Sequence, residues 1–83
     1  MKFLTILLLG VTLALATVNI NNATAKDFAS LKGIGAKKAE AIVKYRDSVK
    51  CFKNIDELIN VKGIGDKTIS KNRNDLKLGK CLK

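Results

Sequence analysis

The sequence has no histidine, no tryptophan and no proline, and only two of its 83 residues are cysteine. Without histidine, a tetrahedral zinc site of cysteine and histidine ligands is excluded, and so is acid–base catalysis by an imidazole. No carboxylate cluster or activated nucleophile accompanies the motifs described below, so an enzyme is not expected. We therefore expect no catalytic residue, no metal, no cofactor and no small-molecule substrate.

Acidic residues are scarce as well. Seven Asp and Glu residues stand against 16 Lys and Arg residues, which gives a formal net charge of +9. A chain of this length has room for one small domain. So strong a positive charge on one domain indicates a polyanionic partner, either nucleic acid or an anionic membrane surface.

Long apolar runs are absent except at the N-terminus, where an uncharged run extends from Phe3 to Ala16 after a basic start at Lys2. Its last residues, Ala14-Leu15-Ala16, form a small-x-small triplet that signal peptidases accept. A helix of that length rises about 21 Å, which is short of the roughly 30 Å hydrocarbon core of a bilayer. We therefore predict a cleaved signal peptide over residues 1–16 and export of the rest.

Two alternatives to this cleavage stay open. An uncleaved anchor is one, because the apolar character fades slowly through Val18 and Ile20. Cleavage after Ala25 is the other, but residues 18–25 are expected to belong to the folded domain. After cleavage at Ala16 the chain keeps a charge of +8, since it loses one lysine and no acid. No stable membrane insertion is then expected.

A domain this small is marginally stable without reinforcement. In an oxidising compartment a disulfide between Cys51 and Cys81 is the expected reinforcement. Closing a loop of about thirty residues stabilises by roughly 3 to 4 kcal/mol on the chain-entropy model. Pairing between two chains and a free thiol are the alternatives that the sequence leaves open.

An internal repeat organises the chain after the leader. The segment Leu31-Lys32-Gly33-Ile34-Gly35-Ala36-Lys37 returns thirty residues later as Val61-Lys62-Gly63-Ile64-Gly65-Asp66-Lys67. Upstream of each copy, a capping residue precedes an acid by three positions, as in a capping box: Thr24 with Asp27, and Asn54 with Glu57. We expect each copy to form helix, tight turn and helix, and the two copies to pack about an approximate twofold axis.

The expected fold class is all-α: a compact tandem helix-hairpin-helix domain of four to five short helices over residues 17–76. Apolar residues recur on one face of each predicted helix, and Phe52 in the connector is expected to join the core. The face residues are Phe28 and Leu31, then Ala39, Ile42 and Val43, then Leu58, Ile59 and Val61, and then Ile69 and Leu76. Asn72 and Asn74 weaken the last helix. Residues 77–83 are predicted to form a basic tail, loosely held apart from Cys81.

The two Gly-Ile-Gly turns are the candidate functional site. Glycines without side chains let backbone N–H groups approach a phosphate closely, and the helix that follows adds free N–H groups. The isoleucines are expected to turn inward, while the nearby lysines and a threonine donate to phosphate. The candidate residues are Lys32, Gly33, Ile34, Gly35, Lys37 and Lys38 in the first copy, and Lys62, Gly63, Ile64, Gly65, Lys67 and Thr68 in the second. Such a site binds the backbone of a nucleic acid and reads no base.

Glycines that merely cap helices are the simpler interpretation of one such turn. Two copies at matched positions, each followed by lysine at the same offset, favour phosphate binding. The remaining cations are by default a solvated face: Lys44, Arg46, Lys50, Lys53 and Lys71.

At this point the sequence resembles a known family, the ComEA-type competence proteins with their tandem helix-hairpin-helix domain. The similar segments run from Val18 to about Leu76: Val18-Asn19-Ile20-Asn21, Ala23-Thr24-Ala25, both Lys-Gly-Ile-Gly turns, Lys38-Ala39-Glu40-Ala41-Ile42, Tyr45-Arg46, and Phe52 with Asp56-Glu57-Leu58. The resemblance implies binding of double-stranded DNA without sequence preference, in natural transformation. It also implies a periplasmic location in a Gram-negative bacterium, with the uptake machinery of the inner membrane as a further partner.

The sequence departs from the family pattern beside the turns. Family hairpins often carry proline before the first glycine and after the second, where this chain has lysine, alanine or aspartate. Asp66 can cap the helix that follows it, yet its charge lies next to the proposed anion site. The second hairpin is therefore expected to bind more weakly than the first.

Two other functions remain as alternatives. A secreted cationic peptide that acts on membranes needs a continuous amphipathic helix, which the repeated glycines interrupt. A helix-hairpin-helix module that contacts proteins instead of DNA is the other, as in an extrinsic subunit of photosystem II. The excess of cations near the turns makes this second alternative less attractive.

Overall fold

The computed structural model describes residues 17–81. The signal peptide predicted for residues 1–16 lies outside the described residues, and so does the end of the tail at residues 82–83. The elements in chain order are strand β1 (Val18–Asn19), helix α1 (Ala25–Ala29), helix α2 (Ala36–Val49), a 3₁₀ helix (Ile55–Asn60), helix α3 (Asp66–Asn72), a second 3₁₀ helix (Arg73–Asp75) and strand β2 (Leu76–Lys77). The predicted mostly helical domain is confirmed.

The two short strands are an addition to the expected all-α fold. β1 and β2 pair in parallel, with Val18 opposite Leu76 and Asn19 opposite Lys77. Strands of two residues contain too little alternation to be recognised in a sequence. They join the start of the domain to its end, so the folded part continues past the boundary expected at residue 76.

The two copies of the repeat form two hairpins, and they open differently. The first hairpin runs from α1 to α2, and the second runs from the 3₁₀ helix Ile55–Asn60 to α3. α1 begins with a full capping box, in which Thr24 and Asp27 each accept the other's backbone N–H at 3.1 Å. In the second copy Asn54 accepts from the N–H of Glu57 at 2.9 Å, but the Glu57 carboxylate accepts from Lys53 N at 2.7 Å.

The prediction that Ile59 faces the core is wrong, because this side chain is 46% exposed. A 3₁₀ helix has three residues per turn, so it turns every third residue to the same side. Leu58 and Val61 share that spacing and are each 2% exposed. Ile59 falls between them and lies at the surface.

A single core joins the two hairpins. The predicted core position of Phe52 is confirmed, since it is 2% exposed. Its ring stacks on Tyr45, with the ring centres 5.7 Å apart. The core combines apolar residues of the N-terminal segment, both hairpins and the connector: Val18, Ile20, Ala23, Phe28, Leu31, Ile34, Ala39, Ile42, Phe52, Leu58, Val61, Ile64 and Ile69.

The two ends of the domain are tied to the connector between the hairpins. A disulfide joins Cys51 to Cys81, with the Cα atoms 5.5 Å apart, so the expected pairing is present within one chain. The buried Asn21 side chain accepts from Phe52 N at 2.7 Å and donates to Phe52 O at 3.1 Å and Gly79 O at 2.9 Å. The segment after residue 76 is therefore held at Gly79 as well as at Cys81, in contrast to the expected loose tail.

Arg46 differs from its expected place on a solvated face. Its side chain is 12% exposed, and its guanidinium donates to the carbonyl oxygens of Ile20 at 3.1 Å and Ala23 at 2.8 Å. The guanidinium carbon lies 5.9 Å from the centre of the Phe28 ring. Backbone acceptors outside a helix leave no mark in a sequence pattern, so a charged residue on α2 was expected to face water. Arg46 attaches the N-terminal segment to the first hairpin.

Candidate nucleic-acid interface

The turns of the two hairpins have the same backbone conformation. Gly33 and Gly63 both adopt a positive φ, at 74° and 92°. This left-handed conformation favours glycine, because a Cβ atom would collide with the neighbouring backbone. In each turn the N–H of the isoleucine donates to the carbonyl oxygen three residues earlier, at 3.2 Å for Ile34 and 3.0 Å for Ile64. The repeat in the sequence is therefore a repeat in structure.

The second glycine of each turn begins the following helix. Gly35 O accepts from Ala39 N at 2.9 Å, and Gly65 O accepts from Ile69 N at 3.1 Å. Neither glycine offers a side-chain cap, and beyond its adjacent residues nothing lies within 4 Å of where its Cβ would be. Within residues 17–81 no hydrogen bond uses the N–H groups of the first three residues of α2 or of α3. Backbone donors without a partner are thus exposed at both turns.

The central isoleucines hold the turns to the core, as predicted. Ile34 and Ile64 are each 6% exposed, while the glycines on both sides of them are at the surface. The isoleucine side chains are therefore anchors. An apolar anchor of this kind fixes the direction in which the neighbouring glycines face solvent.

The two turns lie side by side. A methyl group placed on Gly63 of the second turn would lie 3.4 Å from Cε of Lys38 and 3.5 Å from its Cγ. The ammonium of the same Lys38 lies 3.5 Å from the carbonyl oxygen of Gly33 in the first turn. One lysine side chain therefore spans from the first turn to the second, and both turns belong to one surface.

The structure brings the predicted site residues together on this surface, which we call the hairpin face. Gly33, Gly35, Gly63 and Gly65 are exposed, and Thr68 is half-buried. The exposed charged residues of the first turn are three lysines: Lys32, Lys37 and Lys38. Those of the second turn are two lysines and one acid: Lys62, Lys67 and Asp66. The first turn therefore presents the stronger positive field.

Sequence reasoning missed the contribution of Asn72 to the hairpin face. It was expected only to weaken the last helix, yet it is 1% exposed and its amide bonds both backbone groups of Lys32. The thirty-residue alignment contained a signal, because it places Asn72 opposite Ile42. A polar residue at a core position of a repeat indicates a specific hydrogen-bonding role.

Residues 17–81 lack two features that are typical of other functional classes. No group of acidic, cysteine or histidine residues there could hold a metal ion. No helix in this part of the chain is long and apolar enough to cross a membrane.

Comparison with known proteins identifies the same architecture. The family model described as helix-hairpin-helix motif matches residues 14–77. A relative from Haemophilus influenzae named as an uncharacterized protein is 56% identical over 57 residues, which cover 68% of this chain and 51% of the relative. ComE operon protein 1 of Bacillus subtilis is 43% identical over 56 residues, which cover 68% of this chain and 27% of that protein. The resemblance to ComEA-type proteins is confirmed.

A further match is to endonuclease/exonuclease/phosphatase family domain-containing protein 1 of Danio rerio. It is 40% identical over 48 residues, which cover 58% of this chain and 9% of that protein. The matched segments are thus about half, a quarter and a tenth of the three relatives. The similarity is limited to the matched segments, and the remaining parts of the three relatives lie outside these segments.

Proposed function

Since the chain belongs to the helix-hairpin-helix family, we propose that it binds double-stranded DNA through the sugar-phosphate backbone, using both turns of the hairpin face at once. The observation that supports this most is the position of the Lys38 side chain, which lies beside Gly63 and reaches Gly33 O and so makes the two turns neighbours. One duplex can then span both.

In this proposal, phosphate oxygens accept hydrogen bonds from the unpaired N–H groups at the second glycine of each turn and in the helix start that follows. Gly35 and Gly65 have no side chain, so phosphate can come close to the backbone. The exposed Lys37 and Lys67 add charge at matched positions after the turns. Backbone and lysine donors contact phosphate equally well in any sequence, so binding is independent of base sequence.

We further propose that the protein serves DNA uptake in natural transformation, after export to the periplasm of a Gram-negative bacterium. The similarity to ComE operon protein 1 and the predicted signal peptide support this role. A component of the uptake machinery at the inner membrane is then a further partner. Cleavage after Ala16 suits this role better than cleavage after Ala25, which would remove Asn21 and the fully buried Ile20 from the folded domain.

We propose a binding role without catalysis. The hairpin face presents backbone donors, lysines, the hydroxyl of Thr68 and the single carboxylate of Asp66. This set is suited to holding a phosphate, and it lacks the paired carboxylates or activated nucleophile that cleavage requires. The match to the Danio rerio protein covers 9% of that protein and lends no catalytic residue to this chain.

The proposal is tested by the salt dependence of duplex binding. We expect the exported, oxidised protein to bind unrelated duplexes with Kd values within about threefold of one another. The logarithm of the binding constant should fall linearly with the logarithm of salt concentration, by about 0.9 for each phosphate neutralised. Retention that is unchanged over a wide range of salt would contradict the proposal, as would a strong preference for one sequence.

A membrane test separates the leading alternative. A secreted cationic peptide would release dye from vesicles of anionic lipid at concentrations too low to retain DNA. We expect DNA retention without leakage at these concentrations. Leakage without retention would favour the membrane-active peptide.

A further inference from the structure

A buried asparagine of α3 is bonded to the backbone of the other hairpin's turn. We infer that Asn72 is a positioning residue, which holds the first turn beside the second so that both meet one duplex. This inference rests on the proposed function and deepens it, since it names a residue outside the turns on which DNA affinity depends.

The contacts of Asn72 leave its amide fully engaged. Its Oδ1 accepts from Lys32 N at 2.9 Å, and its Nδ2 donates to Lys32 O at 2.8 Å and to Thr68 O at 2.9 Å. The side chain is 1% exposed, so water does not compete with these bonds. A buried amide that lost one partner would keep an unsatisfied group, which is unfavourable. Asn72 therefore fixes both backbone groups of the residue that enters the first turn.

The repeat shows that this connection is a special feature of one copy. Asn72 corresponds to Ile42, and Lys32 corresponds to Lys62. Ile42 is fully buried and fills the same helical position with an apolar side chain. Within residues 17–81 no side chain bonds the backbone of Lys62. An apolar residue thus suffices for packing at this position, and the asparagine adds a directional link from the second hairpin to the first.

Such a link matters for binding because two contact points on one duplex must keep a fixed separation. Lys38 also lies against both turns, but its side chain is exposed, long and has many rotamers, so it holds their separation less firmly. Without Asn72 the entry to the first turn samples more conformations, and DNA must order them when it binds. The expected consequence is weaker binding by a protein that still folds around the shared core and the disulfide.

The test compares Asn72→Leu with the matched control Asn74→Leu. Leucine keeps the size of the side chain and removes all three hydrogen bonds. Asn74 is exposed and lies two residues further on, and its side chain makes no hydrogen bond to any residue between 17 and 81. We expect Asn72→Leu to raise Kd about 5- to 20-fold, equally for unrelated duplexes, when binding is measured well below the Tm of the variant. Asn74→Leu should change Kd less than about twofold.

Combination with lysine substitutions distinguishes positioning from a general loss of stability. In a Lys37→Glu background the first turn already binds poorly, so Asn72→Leu should add less than about twofold. In a Lys67→Glu background it should keep its full effect, because the first turn then supplies the remaining affinity. If Asn72→Leu raised Kd by the same factor in both backgrounds, the positioning role would be overturned.

Two further measurements keep the inference testable if the leucine variant does not fold. Asn72→Asp has the same shape and keeps the acceptor toward Lys32 N, but loses both donated bonds, and it too should weaken binding. Hydrogen exchange of the Lys32 amide should be slow in the unaltered protein and faster in Asn72→Leu, whereas Asn72→Asp should keep more of the protection because its acceptor remains. Full affinity in both variants would overturn the inference while the unaltered protein still bound DNA. Absence of DNA binding by the unaltered protein would overturn the proposed function and this inference together.

Discussion

The first and second hairpins share a turn and differ in what surrounds it. Gly33 and Gly63 have the same left-handed conformation, and Ile34 and Ile64 are equally buried. The helix after the first turn has 14 residues, whereas the helix after the second has 7. The first turn is held by Asn72, and the side chain of that asparagine comes from the second hairpin. The repeat therefore preserves the conformation of the turn, while the second hairpin contributes to the support of the first.

The two turns also differ in charge, and the second is the less positive of the two. Ala36 begins the helix of the first hairpin, and Asp66 begins the helix of the second. An acid in the first turn of a helix stabilises that helix, because it complements the free N–H groups. The same carboxylate opposes a phosphate that approaches these groups. We therefore expect the first hairpin to supply most of the affinity for DNA.

The largest expected effect comes from removing the disulfide, which encloses the second hairpin and not the first. Replacing both Cys51 and Cys81 by serine should lower the free energy of unfolding by about 3 to 4 kcal/mol, since the loop between them is no longer closed in the unfolded chain. Thermal unfolding of the two proteins measures this loss. Hydrogen exchange should increase more in α3 than in α2. Equal loosening of both hairpins would show that the disulfide does not act on the second alone.

The next effect compares the lysines of the two turns. Lys37→Glu with Lys38→Glu should weaken binding to every duplex on the order of 100-fold, because two phosphate contacts become repulsive. The double variant Lys62→Glu with Lys67→Glu should weaken DNA binding by a factor several times smaller. Binding measured for both pairs on the same duplexes, at several salt concentrations, tests the difference.

The matched control for these pairs lies at the far end of α2. Lys50→Glu with Lys53→Glu changes the net charge by the same amount, and both residues are exposed near the disulfide. This control should weaken DNA binding only through the long-range electrostatic field, so its effect on affinity should decline at high salt. If this control weakened binding as much as the hairpin pairs, net charge and not the hairpin face would govern affinity.

The smallest expected effect comes from exchanging the residues that begin the two helices. Asp66→Ala should tighten binding roughly two- to fivefold, since it removes a charge close to the proposed phosphate position. Ala36→Asp should weaken binding by a similar factor in the first hairpin. Tighter binding by Asp66→Ala together with weaker binding by Ala36→Asp would show that the charge at the helix start accounts for part of the difference between the hairpins. No change in either would mean that phosphate does not approach the helix starts.

Much of the fold follows from local signals in the sequence. The repeat located both turns, the capping residues Thr24 and Asn54 located the helix starts, and the burial of Ile34 and Ile64 followed from their apolar character. The signals were reliable here because turns and caps depend on neighbouring residues only.

The features that the sequence did not reveal depend on contacts between distant residues. Arg46 bonds carbonyl groups more than twenty positions away, Asn21 joins Phe52 to Gly79, and Asn72 reaches Lys32 forty positions earlier. Each is a polar side chain whose partner is backbone, and backbone groups are the same in every residue. The exposure of Ile59 was missed for a different reason, because a 3₁₀ helix places residues on a face with a spacing of three.

The most direct test of the central claim follows backbone amides while a short duplex is added. If both turns contact one duplex, the amide signals of Gly33, Gly35, Gly63 and Gly65 should shift together and saturate at one protein per site with a single Kd. Amides near the disulfide, such as that of Lys53, should change little. Shifts confined to one glycine pair, or two pairs that saturate at different concentrations of DNA, would contradict the account.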